Sequence, residues 1–153
     1  MDTDKNKSVL QFTNPELIRS VFIANEDYHV EKGKEFKMNV EPNIERPKDI
    51  NDKERCAKVT LSVNNFDSTK KSVDVELGEK PYVVFITMGA TFKWNKSDIK
   101  DEDEKDFLRI NAASLLLSYI RPLLAELTGM SKFNTQYIPF IDFSNTSQKE
   151  QGE

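Results

Sequence analysis

Nine apolar side chains between Ala112 and Leu127 (Ala112, Leu115, Leu116, Leu117, Tyr119, Ile120, Leu123, Leu124 and Leu127) recur with helical spacing. Placed at about 100° per residue, they cover an arc of roughly 200°. A helix resting on a single sheet needs about half of that. The stripe left over carries Asn111, Ser114, Ser118 and Arg121. The helix is therefore expected to be buried on two sides, one against its own sheet and one against a second subunit. Leu116, Tyr119, Ile120, Leu123 and Leu127 are assigned to that oligomer interface.

This is the only long helical pattern, predicted over Phe107–Met130. Thr128-Gly129 supplies a stop, and Pro122 inside it predicts a bend after Ser118. Everything before it alternates with a period of two. Leu17 to Tyr28 forms a first extended run. Phe36, Met38, Val40 and Ile44 alternate with Lys37, Asn39, Glu41 and Asn43, and Pro42 marks that strand as an edge or a bulge. Ala57, Val59, Leu61 and Val63 repeat the pattern, as do Val73, Val75 and Leu77. YVVFITMGATFKW (Tyr82 to Trp94) is apolar on both faces at its start, so it reads as an interior strand. The connections are too short for helical crossovers. The expected fold class is α+β, with an antiparallel sheet of about four strands and one long C-terminal helix packed on it. Residues 1–14 and 144–153 are polar and are expected as disordered tails around a single domain of residues 15–143.

The 153 residues carry 22 basic and 26 acidic side chains, but the imbalance is local. Asp98 to Asp106 (DIKDEDEKD) holds six acids and two bases, leaving the rest of the chain neutral. No basic stripe is present to meet phosphates, which argues against nucleic acid as a partner. The first residues, MDTDKNKSVLQF, lack an apolar signal core, and the single cysteine, Cys56, rules out an internal disulfide. A cytoplasmic location is expected, without direct membrane insertion. His29 and Cys56 fall in different predicted elements and read as a loop residue and a strand residue, so no nucleophile is assigned. The Asp101-Glu102-Asp103-Glu104 cluster lacks the glycine and the distant Glu of a calcium loop and reads as a solvated helix start. No catalytic residue, metal or cofactor is expected, and the chain is not read as an enzyme.

Aromatic side chains are the positive signal. Tyr28, Phe36, Phe92, Trp94, Phe133, Tyr137, Phe140 and Phe143 lie at element ends or in the extended stretch FNTQYIPFIDF. Each has core packing as its ordinary role, but so many outside regular elements point to an exposed apolar groove for peptide or protein.

The stretch NAASLLLSYIRPLLAELTGMSKFNTQYIPFIDF (Asn111 to Phe143) resembles the SecB export-chaperone family in its Tyr119-Ile120-Arg121, in Phe133 and in the closing Ile141-Asp142-Phe143. Gly89 to Phe92 (GATF) is similar to the Gly-Gly-x-Phe of that family's fourth strand, and Lys34 to Val40 (KEFKMNV) to its second. The departures are Ser118 where the family often has the helix proline, Phe140 in place of the motif's proline, and Lys32 where members can carry a Trp. Ten polar residues follow Phe143 where the family has a second helix. The resemblance implies a SecB-like sheet and helix, assembly as a homodimer or homotetramer, and ATP-independent holding of unfolded polypeptides in apolar grooves lined by the eight aromatics. It also implies export through a SecA-type motor docking on an acidic sheet face, here Asp74 and Glu76. The alternative is a SecB-fold binding module for one dedicated partner, such as an antitoxin or a structural protein, without a general chaperone or export role.

Overall fold

A strand that starts apolar on both faces belongs in the interior of a sheet, and β6 (Tyr82–Asn95) is paired along both edges in the computed structural model, which describes residues 9–29, 37–66, 72, 80–139 and 141–145. It pairs antiparallel with β5 (Glu54–Asn64) on one side and with β1 (Gln11–Phe12) and β2 (Glu16–Ala24) on the other. Beyond β5 lie β3 (Asn39–Ile44) and β4 (Lys48–Asp49), also antiparallel. Among the described residues the sheet thus has six strands rather than about four. The difference lies in its two outer positions, each of which is split. Pro15 falls between β1 and β2 and Pro47 between β3 and β4, and a residue without an N–H cannot continue a ladder. Pro42 stands in β3, opposite Leu61, on the edge position expected for it. Val73, Val75 and Leu77, predicted as a further strand, lie outside the described residues. Within the stretch expected as an N-terminal tail, Leu10 is buried and Gln11 and Phe12 pair with Lys93 and Phe92.

One face of the sheet carries the core. Alternate residues of β6 (Tyr82, Val84, Ile86, Met88, Ala90, Phe92 and Trp94) and of β5 (Ala57, Val59, Leu61 and Val63) pack in one cluster with the helix α1 (Glu104–Gly129). That helix lies across β5, β6 and β3. It runs through the exposed Pro122 without a break. It begins three residues before the predicted start, after a single 3-10 turn, Asp101–Asp103. These three acids are exposed, as a solvated start requires. Glu104 is not: it is buried, its Oε1 2.7 Å from Arg55 Nε on β5, and it accepts from the Trp94 indole N–H at 3.2 Å.

The second buried side of α1 is covered by the chain itself. After Gly129 the backbone turns back along the helix in extended form. The Gln136 N–H donates to Thr128 Oγ1 at 2.8 Å, and Arg121 Nε donates to the Ile138 carbonyl at 2.8 Å. Ile138 and Phe143 enter the main core cluster. Leu116 and Ile120, two of the five residues assigned to an oligomer interface, are 0% exposed within the single chain and belong to its core cluster. The return of the chain over the helix was not expected from the sequence, because an extended segment carries no period to show where it will pack.

Candidate binding surface

The six predicted groove aromatics among the described residues do not form one surface. Phe92, Trp94 and Phe143 are core residues, at 0%, 2% and 1% exposure, which corrects their reading as groove lining. Phe92 and Trp94 stand at the end of β6, but on the helix-facing side, where the start of α1 covers them. Tyr28 and Phe133 meet edge to face, with ring centroids 6.1 Å apart, and Phe133 continues to Tyr82 and Phe22. Both are half-buried. Burial alone pushes the Tyr82 hydroxyl above the usual tyrosine range. Of the described members of the set, Tyr137 is the one side chain left largely in solvent. Phe36 and Phe140, and the acidic-face residues Asp74 and Glu76, lie outside the described residues. On the helix, Leu123 and Leu127 are half-buried and Tyr119 is exposed.

The exposed apolar side chains concentrate elsewhere, along β1 and β2. Phe12, Leu17 and Ile18 are each about half exposed, and Ile23 is 39% exposed. A register shift between Leu17 and Arg19 marks a bulge at Ile18, and bulges re-aim side chains. Gly89 on β6 makes room for it. A Cβ there would lie 2.8 Å from Ile18 Cδ1 and 3.0 Å from Thr60 Cγ2. Gly89→Ala is accordingly expected to lift Ile18 off β6 and to cost about 1 kcal/mol net, overpacking outweighing the strand preference of Ala; a melting curve checks it. Strand β2 carries two charges, one of them between Ile18 and Ile23. Glu16 begins the strand, and the Arg19 guanidinium sits 4.9 Å above the Phe85 ring.

Among the described strands, β1 and β2 pair only with β6, so the outward backbone of this position has no strand beside it. The opposite edge is blunted. There β3 is six residues long, contains Pro42, and alternates with the exposed Asn39, Glu41 and Asn43. Below it Asp49 is held by Arg55 at 2.5 Å and by Lys96 at 3.2 Å, and these two bonds draw its carboxyl below the usual range. A Pro and charges are the ordinary means of protecting an edge; β2 has no Pro, and the one charge among its apolar residues, Arg19, lies over the Phe85 ring. A bare apolar edge can add an extended chain as a further strand.

The chemistry of the other candidates is dispersed. His29 is exposed just past β2, near the start of β6, whereas Cys56 pairs with Lys93 near the other end of that strand. Among the described residues no group of His, Cys, Asp and Glu is arranged to hold a metal, and no helix is long and apolar enough to cross a membrane. Aromatic residues give the bare edge no signal, since Phe12 and Phe22 are the only ones in β1 and β2. Its signal was the failure of ELIRSVFIA to alternate, with Leu17 and Ile18 adjacent and apolar.

No family model matches the chain, and no curated relative matches it. Solved structures do. A SecB-like chaperone of Mycobacterium tuberculosis, Rv1957, in complex with a ChAD peptide from the HigA1 antitoxin, aligns with a TM-score of 0.50 and 12% identity over 86% of this chain and 90% of its own. A protein of unknown function from Streptococcus agalactiae aligns with a TM-score of 0.49 and 11% identity, over 86% of this chain and 97% of its own. The first likeness establishes the SecB-like fold, an antiparallel sheet with one C-terminal helix.

Proposed function

We propose that this SecB-like fold with one bare apolar edge serves to bind polypeptide, holding extended apolar segments of other chains along β1 and β2 without ATP. The observation that carries the reading is the contrast between the two sheet edges, one blunted by Pro42 and polar side chains, the other offering Phe12, Leu17, Ile18 and Ile23 beside a backbone that has no neighbour among the described strands. Backbone pairing is indifferent to sequence, and apolar burial has no direction, so such a site accepts many clients. Covering a half-exposed Leu or Ile contributes about 1 kcal/mol. One edge therefore holds weakly, and assembly into a homodimer or homotetramer would strengthen it through effective concentration. The test is suppression of aggregation of a chemically denatured model protein. Suppression at stoichiometric amounts is expected; none at several-fold excess removes the reading.

A second reading is a module for one dedicated partner. It draws support from the M. tuberculosis neighbour, whose structure holds an antitoxin peptide. A native pull-down separates the two, one dominant partner favouring the module and a broad spectrum the general holdase.

A further inference from the structure

Helix α1 holds an extended stretch of its own chain by contacts that would serve for other polypeptides. Two side chains read the backbone of that stretch. Arg121 Nε donates to the Ile138 carbonyl, and Thr128 Oγ1 accepts from the Gln136 N–H, both at 2.8 Å. The Thr128 hydroxyl is fully buried and is oriented by donating to the Leu124 carbonyl at 2.8 Å, which turns its lone pairs to the passing backbone. Two apolar side chains are taken in, Ile138 and Phe143, in the same cluster as Leu117, Ile120 and Leu124. Their neighbours Tyr137, Pro139 and Asp142 stay exposed. Among the described residues, no bond to another backbone holds residues 134–139. Among the described residues the stretch is therefore seated on helix side chains and not through a ladder.

We infer that this helix groove is a second polypeptide site, filled at rest by the chain's own Gln136, Ile138 and Phe143. It is open by exchange to extended peptides that carry two apolar side chains with the Ile138 to Phe143 spacing. The inference rests on the reading of the protein as a polypeptide binder, but its site is distinct from the β1 and β2 edge. A tethered occupant acts at an effective concentration in the millimolar range. An incoming peptide thus sees a site competent for only a small fraction of the time, and its apparent affinity falls by that fraction. Weakening the resident segment raises the fraction and tightens binding in trans.

The experiment uses the full chain and a fluorescein-labelled peptide of residues 131–145, followed by anisotropy. Ile138→Ala, with its native fold checked by circular dichroism, is expected to bind the peptide roughly ten-fold more tightly than wild type. Adding Arg121→Ala removes the carbonyl donor and is expected to abolish that gain, whereas Ile18→Asp leaves it intact. Equal affinity of wild type and Ile138→Ala overturns the proposal, as does equal binding of a scrambled peptide or loss of binding through Ile18→Asp. Should Ile138→Ala fail to fold, Phe143→Leu makes the same comparison with a smaller change. Aggregation suppression by wild type without any exchange defeats this inference alone; absence of both defeats the polypeptide-binding reading with it.

Discussion

Arg55→Ala is expected to destabilise the fold by about 3 kcal/mol, since removing one partner of a buried ion pair leaves the other charge uncompensated. Glu104 is 5% exposed at the start of α1, and Arg55 meets both of its carboxylate oxygens, Nε lying 2.7 Å from Oε1 and one terminal nitrogen 3.2 Å from Oε2. Without Arg55 that carboxylate keeps the Trp94 N–H and the favourable end of the helix dipole, which do not replace a cation. A loss of this size corresponds to a fall of roughly 6–12 °C in melting temperature for a chain of this length. Glu104→Gln is the informative companion. It keeps an acceptor for Trp94, and Arg55 retains Asp49 and access to water, so its cost is expected to be about 1 kcal/mol. Thermal melts of the two variants check the order; equal costs would show that the charge on Arg55 contributes nothing.

Leu17→Asp and Ile18→Asp are expected to act on binding and leave stability nearly unchanged. Both side chains are about half exposed in the free protein, so the substitutions remove little core. In a complex, each would place a carboxylate against an apolar segment, losing about 1 kcal/mol of burial and adding the cost of desolvating a charge. The affinity for an unfolded model client is expected to fall at least ten-fold, about 1.4 kcal/mol. Asn43→Asp, on the blunted edge, is the control and should bind as wild type does. Binding curves and melts together decide the matter, because unchanged affinity in both edge variants would place the client elsewhere.

The sheet was legible in the sequence where its physics is local. The two-faced apolar run from Tyr82 placed β6 in the interior, and Pro42 marked an edge because a missing N–H has only one consequence in a ladder. The helix was legible by its period. What covers its second side was not: Ile138 and Phe143 reach α1 through an extended stretch, and extended chain with a proline at residue 139 has no spacing that announces its partner. The same gap put core residues among the groove candidates. Phe92 and Trp94 look peripheral at the end of a strand, but the helix starts above them, a fact of three-dimensional order. The edge at Leu17 and Ile18 was visible only as a lapse in alternation.

Trp94 is the single tryptophan of the chain, and it stands where the end of β6 meets the first turn of α1. Its indole donates to Glu104, so the intrinsic emission of the protein reports on one contact, the seating of the helix on the sheet. Undocking that end would let water reach the ring and shift the emission to longer wavelength. Events at the β2 edge or at Ile138 happen away from it and should leave the spectrum still. The fold thus carries its own optical probe, able to tell a loosened helix from an occupied binding surface without any added label.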